Sequence, residues 1–232
     1  MIDEAFPPGG HMSTPALTPH APSTLGWLAL HGGAGWLADT DTAKLVLADA
    51  QSLVVVPTAA AFEQPDEAVA AATKWFEPLG FDVRSCRVLT RHDANDPARA
   101  AEIRAADALL FTGGQPLHLR AVMSESLVWA AIVAAFARGV PIIAEGAAAS
   151  AFGDPMLDPR GGAFTIGLGL VSGVAVLPGT DNWSPDRKTR TLRLAGKTPL
   201  AMVPSATTLL RHPHGQWSSA GLLDVTFVGV PR

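Results

Sequence analysis

Residues 141–156 have the order of a strand that turns sharply into a helix. Two isoleucines after Pro141 predict a short buried strand, and the alanine run after Gly146 predicts a helix. Free backbone amides at the start of such a helix can hold an oxyanion, and a hydrolase with a serine nucleophile displays it at the tip of a turn of this kind. Here the tip residue is Gly146, between Glu145 and Ala147, and it has no atom with which to attack a substrate.

Three further turns follow predicted strands, which is where ligands bind in open parallel sheets. Residues 31–35 read HGGAG, and their glycines let backbone amides approach an anion, although a plain flexible turn has the same composition. Residues 111–116 read FTGGQP, in which two glycines directly precede a predicted helix and suit an anion or a carbonyl group. Residues 56–60 read VPTAA and are compatible with no more than the exit of a strand.

Composition narrows the classes of function. The chain has 232 residues, 48% of them hydrophobic, so it can bury a full core, and its length fits one domain better than two. A formal charge of -4 supplies no basic footprint for nucleic acid. The richest apolar window, residues 127–137, is only about half of the length that a bilayer span needs, so a membrane partner is not expected either. The single cysteine, Cys86, excludes an internal disulfide and predicts a reducing, cytoplasmic location.

Residues 1–24 differ from the rest of the chain, because they are rich in proline and have no periodic apolar pattern. We expect them to form a disordered lead-in. His11-Met12 is also the dipeptide that a common cloning site encodes, which allows residues 1–11 to be a cloning remnant and Met12 to be the native start. Residues 25–232 are then expected to form one domain.

From residue 26 the chain alternates short apolar runs with helical stretches, which predicts a three-layer α/β sandwich with a mostly parallel central sheet and helices on both faces. After residue 161 strand-like segments dominate and predict an antiparallel C-terminal extension, with a hairpin turn at residues 212–215 between two edge strands. The predicted strands are residues 27–31, 53–57, 82–89, 108–112, 141–144, 174–177, 200–203, 207–210 and 223–230. The predicted helices are residues 40–49, 65–79, 97–105, 116–123, 127–137, 147–152 and 185–194.

Taken in order, the four turns resemble the dipeptidase E and cyanophycinase family of serine peptidases, over residues 26 to about 230. Family members carry a glycine-rich turn, a Pro-Thr-Ala-Ser-like strand exit and a Phe-Thr-Gly-Gly-x-Gln-like turn, which look like HGGAG, VPTAA and FTGGQP here. The family's Gly-Thr-Ser-Ala-Gly-Ala elbow falls on residues 144–149 (AEGAAA), and its Leu-Gly-Glu-x-Met helix end falls on residues 152–156 (FGDPM). The resemblance implies a class I glutamine amidotransferase-like fold and a serine-type peptidase site.

The resemblance also implies that parts of the catalytic triad are missing. The family's nucleophilic serine falls on Gly146, and residues 177–183 (LPGTDNW) contain no histidine where an Asp-x-His-Phe motif supplies the base in the family. The basic turn of helix that follows this motif is kept at residues 187–194. The acidic member has no clear equivalent, and Asp158 is near only in sequence.

Three other side chains are weak candidates for catalysis. Ser150 lies one helical turn beyond Gly146, where a hydroxyl more often bonds to a backbone carbonyl of its own helix. His118 follows the FTGGQP turn, and His31 stands at the carboxyl end of a strand, but a packed or solvated histidine is the simpler interpretation of both.

Glu145 is the charged residue of the predicted elbow. A carboxylate buried beside a helix N-terminus is stabilised as the anion and could occupy the place of a substrate carboxylate or oxyanion, whereas an exposed turn carboxylate is the plain alternative. The pairs at residues 92–93 and 212–214 lack the additional ligands of a metal site, so we expect neither a metal nor another cofactor.

Three functions remain as hypotheses. The leading one is a pseudoenzyme of this family that binds a small peptide or an acidic ligand without hydrolysing it. The second is a hydrolase that works through a rearranged hydroxyl, Ser150. The third is a structural or regulatory homodimer with a vestigial cleft. The predicted binding residues are Gly32, Gly33, Gly113, Gly114, Gln115, Glu145, Gly146 and Ala147.

Overall fold

The computed structural model describes residues 25–229, so the expectation for residues 1–24 lies outside the described residues. Eight helices occur in this range: α1 (Thr40–Val46), α2 (Pro65–Phe76), α3 (Arg91–Ala94), α4 (Pro97–Arg104), α5 (Pro116–Met123), α6 (Leu127–Ala137), α7 (Ala147–Phe152) and α8 (Pro185–Ala195). The strands of the same range are β1 (Leu28–His31), β2 (Ser52–Val56), β3 (Asp82–Ser85), β4 (Leu109–Phe111), β5 (Ile142–Glu145), β6 (Gly153–Asp154), β7 (Met156–Leu157), β8 (Phe164–Thr165), β9 (Val171–Ser172), β10 (Ala175–Pro178), β11 (Leu200–Val203), β12 (Thr207–Arg211), β13 (Trp217–Gly221) and β14 (Thr226–Val228).

The main sheet has seven strands in the order β13-β12-β1-β5-β4-β2-β3. The five strands from β1 to β3 in this order are parallel, and β12 and β13 extend the sheet antiparallel beside β1. A smaller sheet is formed by β10, β11 and β14. The predicted α/β class, with a mostly parallel central sheet and an antiparallel extension, is therefore confirmed.

Two of the predicted strands have different bounds. The segment predicted at residues 82–89 is a strand only as far as Ser85, at the exposed edge of the sheet. The hairpin at residues 212–215 is present, but its second strand is β13, and residues 226–228 of the predicted segment 223–230 pair instead with β11. The sequence of β13, WSSAG, has small and polar residues with no apolar alternation, which is why the pattern missed it.

The helices begin at residues that suit helix starts. Asp39, Ser126 and Ser184 each accept a hydrogen bond from a backbone N–H in the first turn of α1, α6 and α8. A proline occupies the first turn of α5, where its missing N–H costs nothing. These local signals explain why most predicted helix starts are correct.

The main sheet has an apolar core on each face. Leu28 and Leu30 of β1 pack on one side with residues of α4, α5, α6 and α7, whereas Ala29 packs on the other side with residues of α1 and α2. Because side chains alternate along a strand, His31 at the end of β1 and Glu145 at the end of β5 lie on the same side as Ala29. Both stand at the carboxyl edge of the sheet, where the glycine turns follow.

Within residues 25–229, no single helix has the length and apolar character needed to cross a membrane; α5 and α6 meet those criteria only when taken together, as a pair bent by 95°.

Candidate binding cleft at the carboxyl ends of the strands

Gly146 joins β5 to α7 in the conformation of a sharp elbow. Its backbone has φ 52° and ψ −110°, its N–H donates to the carbonyl of His31 at 2.9 Å, and its carbonyl accepts from Ser150 N–H at 3.1 Å. Glycine adopts such a conformation readily, whereas any other residue is strained in it, as the nucleophile of a strand-turn-helix elbow is. A Cβ atom at this position would have Gly113 Cα, 3.9 Å away, as its nearest neighbour. The elbow thus has the shape and the space for a nucleophile, but no side chain.

The Glu145 carboxylate lies over the second glycine turn. A Cβ on Gly113 would overlap Oε2 of Glu145 and would lie 3.0 Å from its Cδ. Oε1 is also 3.5 Å from the position of a Cβ on Gly33, so the carboxylate lies between the first and second glycine turns. Burial raises the pKa of Glu145, and the backbone N–H of Gly113 opposes this rise only in part. Glu145 is therefore half-buried rather than an exposed turn carboxylate, and its burial disfavours the anion instead of stabilising it.

Three close approaches hold the glycine turns in place. Gly32 donates its N–H to the Thr207 carbonyl at 2.9 Å, and a Cβ there would lie 2.8 Å from the Val203 carbonyl oxygen. Gly114 has φ 131°, and a Cβ on it would overlap the carbonyl of Ala59 in the VPTAA turn. These glycines are therefore required by packing, independently of any ligand.

Gln115 and Ala147 complete the predicted binding set at the rim of the cleft. Gln115 donates its N–H to the Ala59 carbonyl at 2.7 Å, and its side chain donates to the Glu63 carboxylate. Ala147 is half-buried at the start of α7. Of the eight predicted binding residues, Glu145 ends β5 and the other seven follow β1, β4 or β5 at the same edge of the sheet.

His31 is fully buried, with 0% of its surface exposed. Its Nδ1 shares a hydrogen bond with Thr208 Oγ1 at 2.9 Å, and Ala38 N–H donates to the same hydroxyl at 2.9 Å. Burial lowers the pKa of His31 to about 4, although the carbonyl groups of Gly33 and Thr207 favour the charged form. The imidazole is therefore neutral at pH 7 and fixed beneath the first glycine turn, a position typical of a packed histidine.

The other two catalytic candidates point away from the elbow or are enclosed. His118 Nε2 bonds to the Leu89 carbonyl at 2.9 Å, and its ring packs edge-on against Phe62 with centroids 4.6 Å apart. Ser150 lies inside α7 and is 4% exposed. Neither side chain has a hydrogen bond to another catalytic candidate among residues 25–229, so neither forms a nucleophile-base pair there.

The segment that carries the base histidine in the resembled family lies beside the first glycine turn. A Cβ on Gly179 would be 3.4 Å from the Gly32 carbonyl oxygen. Asp181 accepts a hydrogen bond from Ser205 N–H at 2.6 Å, which lowers the pKa of the carboxyl, and Asn182 donates to Ser205 Oγ at 2.8 Å. The segment has the expected position, but its polar side chains are engaged with Ser205.

Two polar residues near the cleft were not predicted. Thr112 follows Phe111, which lies opposite Ala144, so it stands beside Glu145 across neighbouring strands, and its buried hydroxyl has no hydrogen-bond partner among the described residues. Thr208 lies in register with His31 on β12. Thr112 belongs to the FTGGQP turn, although its position beside Glu145 depends on the strand register, whereas only the register reveals Thr208, because threonine inside a strand is ordinary in sequence.

Asp158 and the histidine pairs take no part in the cleft. Asp158 pairs with Arg160 at 2.7 Å. Over residues 25–229 no group of three or more His, Cys, Asp or Glu side chains could hold a metal ion. His212 Nε2 bonds instead to Ser218 Oγ at 2.7 Å.

The fold and this edge of glycine turns define an α/β protein with a strand-elbow-helix site. Residues 30–159, more than half of the sequence, match the profile of peptidase family S51. The chain therefore belongs to peptidase family S51, the dipeptidase E and cyanophycinase family. Among curated proteins, none is a significant match to this sequence.

Two solved structures have a similar fold. A peptidase from an acI-B1 Actinobacterium superposes with a TM-score of 0.76 at 20% identity, covering 91% of this chain and 97% of its own. A candidate peptidase E protein from Listeria monocytogenes EGD-e superposes with a TM-score of 0.66 at 17% identity, covering 86% of this chain and 100% of its own. At these identities the likeness concerns the fold.

Proposed function

We propose that this chain is a dipeptidase E-like pseudoenzyme that binds a small peptide or an acidic ligand at the elbow and does not hydrolyse it. The observation that carries the proposal is Gly146, which keeps the elbow conformation and has no side chain. Loss of a triad member typically removes about three to six orders of magnitude of rate, and loss of a second member costs little more. Turnover by the remaining backbone is then close to background.

The surroundings of Gly146 support binding. The glycine turns after β1 and β4 and the elbow after β5 converge on one edge of the sheet, which is the usual ligand site of an open α/β sheet. Gly113 and Gly33 lie at this edge, on either side of the Glu145 carboxylate. Within residues 25–229, this carboxylate is the charge that the structure puts between them.

A paired binding and turnover experiment tests the proposal. Ala-Ala and Asp-Leu are added to the ¹⁵N-labelled protein, the Gly33 and Gly113 amide signals are followed, and free amino acids are measured in the same samples. We expect saturable shifts of these signals without release of amino acids. Release that persists in repeated preparations and is lost in a Glu145→Ala variant would show that the chain is a catalyst.

The hydrolase that uses Ser150 remains the alternative within the same family. Its burial inside α7 does not favour it, since a nucleophile has to reach both a substrate and a base. Incubation with a fluorophosphonate, followed by mass spectrometry of the intact protein, distinguishes the hydrolase from the pseudoenzyme. The pseudoenzyme gives no adduct, whereas an adduct that disappears in Ser150→Ala would establish the alternative.

A homodimer is the third candidate, and one observation favours it. The strand β13 is an edge of the main sheet, and Leu222, directly after it, is 95% exposed. Exposed apolar residues beside an edge strand are typical of a protein-protein contact. Light scattering of Leu222→Asp against the unchanged chain tests this. A dimer that becomes a monomer supports the homodimer, and a monomer in both cases rejects it.

The single cysteine leads us to propose that the protein is located in the cytoplasm.

A further inference from the structure

We propose that the cleft selects a cationic nitrogen, so that the group of the ligand beside the elbow is a primary ammonium paired with the Glu145 carboxylate. The inference rests on the proposed function, because it names the part of the ligand that this same cleft recognises. It favours the amino end of a small peptide over an acidic ligand.

The position of Glu145 depends on the residue opposite it. The carboxylate lies where the side chain of any other residue at position 113 would be, since a Cβ there would overlap Oε2 and come within 3.2 Å of Oε1. Gly113 does not have a positive φ, so its backbone does not itself require glycine. The absence of a side chain at position 113 therefore serves to admit the carboxylate.

Within the described part of the chain, the carboxylate lacks a partner of opposite charge. Among residues 25–229, no Lys, Arg or His side chain forms an ion pair with Glu145. Two other carboxylates of the same range do have partners: Asp158 pairs with Arg160, and Asp39 accepts the Thr42 N–H at a helix start. Burying a charge without a partner is costly, and an ammonium group carries both the opposite charge and three N–H donors.

Neighbouring groups complement a cation better than an anion. The Thr112 hydroxyl, 2% exposed and without a hydrogen-bond partner among the described residues, is an available acceptor on the same side of the sheet. His31, in register with Glu145, is neutral at pH 7 and does not compete as a cation. The charged side chain bonded to the second glycine turn, Glu63 on Gln115, is also acidic. An acidic group entering the cleft would meet the negative charges of Glu145 and Glu63.

Two matched dipeptides test the inference: Ala-Ala, which has a free ammonium, and N-acetyl-Ala-Ala, which does not. Binding is followed by the Gly113 amide signal in the unchanged chain, in Glu145→Gln and in the control Glu77→Gln, an exposed carboxylate at the end of α2. We expect Ala-Ala to bind about tenfold more tightly than the acetylated peptide, since a charged hydrogen-bonded pair is gained. Glu145→Gln should abolish this preference, and Glu77→Gln should keep it.

Equal affinity for the two peptides, or a preference that survives Glu145→Gln, overturns the inference while leaving the proposed function intact. If neither peptide binds, the proposed function fails, and ethylammonium and propionate then decide the cation preference separately. A saturable shift of Gly113 by ethylammonium that is lost in Glu145→Gln supports it, and a stronger effect of propionate on the unchanged chain rejects it. The spectrum of each variant reports whether it is folded.

Discussion

Gly146 and Gly113 lie next to each other at the carboxyl edge of the sheet, but they lack a side chain for opposite reasons. At Gly146 the backbone has a positive φ, which favours glycine. There is nevertheless room for a side chain, because the nearest atom lies 3.9 Å from the position of a Cβ. At Gly113 the backbone does not have a positive φ, so it would accept other residues. There is no room for their side chains, because the Glu145 carboxylate fills the space.

The difference separates a missing side chain from an occupied space. The elbow keeps the conformation in which a nucleophile would be strained, and Gly146 adopts it without strain. Gly113 belongs to the turn that resembles the family's own, and in this chain the Glu145 carboxylate takes the space beside it. We infer that the cleft is adapted around a half-buried carboxylate.

The largest effect is expected next to Gly113. Gly114→Ala combines a φ of 131° with an overlap of the new Cβ on the Ala59 backbone, which cannot move aside as a flexible side chain can. Strain and overpacking each cost about 1–3 kcal/mol, so we expect a loss of roughly 3 kcal/mol or more in the free energy of unfolding. Urea denaturation measures it, with Gly113→Ala as the matched neighbour. Equal losses at both positions would contradict the contrast drawn here.

Acid is expected to act mainly through His31. Its pKa is about 4 in the folded chain and near 6.5 when exposed, so the unfolded state binds the proton more tightly. The contribution of His31 to stability is then constant above pH 6.5 and falls as the pH decreases toward 4, by at most about 3 kcal/mol. Denaturation curves at several pH values, compared with those of His31→Gln, isolate the contribution of His31 to the pH dependence of stability. Identical pH profiles for the two proteins would show that His31 is not buried as a neutral group.

Gly146→Ser tests the other side of the comparison. The new side chain has space, so the expected cost is backbone strain alone, about 1–3 kcal/mol, and the variant should fold. No histidine is present in residues 179–183 to activate the hydroxyl, so we expect no hydrolysis of dipeptides. Thermal denaturation measures the loss of stability, and an amino-acid release assay measures the hydrolysis. Rapid hydrolysis by this single variant would mean that a functional base has been overlooked.

Glu145→Gln is expected to stabilise the chain. The amide has the same shape without the buried charge, so it should gain about 1 kcal/mol at pH 7. Burial raises the pKa of Glu145, which means that its destabilising effect grows as the carboxyl ionises and vanishes in acid. The two melting curves should therefore differ at pH 7 and approach each other toward pH 4. A variant that is less stable at pH 7 would indicate a partner for the carboxylate.

The sequence predicts the scaffold of the cleft well and its contents less well. Apolar runs and glycine punctuation locate β1, β4 and β5 and the elbow, because strand period and turn chemistry are local properties. Glu145 is recognisable in sequence as the odd charge of the elbow, but its position over Gly113 depends on how β4 and β5 are paired. The burial of His31 and its bond to Thr208 likewise require β12, which is far along the chain.

Sequence patterns also fail where a strand needs no apolar alternation. The edge strand β13 forms through backbone hydrogen bonds with β12. Its exposed residues have no apolar alternation from which a strand could be predicted. The segment without the base histidine is the opposite case. The order of the motifs along the sequence was enough to locate residues 179–182. What could not be read is that Asp181 and Asn182 bond to Ser205.

The central claim is that the Glu145 carboxylate is held, half-buried, over Gly113 beside an elbow without a nucleophile. The most direct measurement is the pKa of the Glu145 carboxyl, from a ¹³C NMR titration of the unchanged chain and of Gly113→Ala. We predict a pKa above the ordinary range in the unchanged chain and a clear fall in Gly113→Ala, because the new Cβ displaces the carboxylate toward water. The same pKa in both proteins, or an ordinary value in the unchanged chain, would contradict the claim.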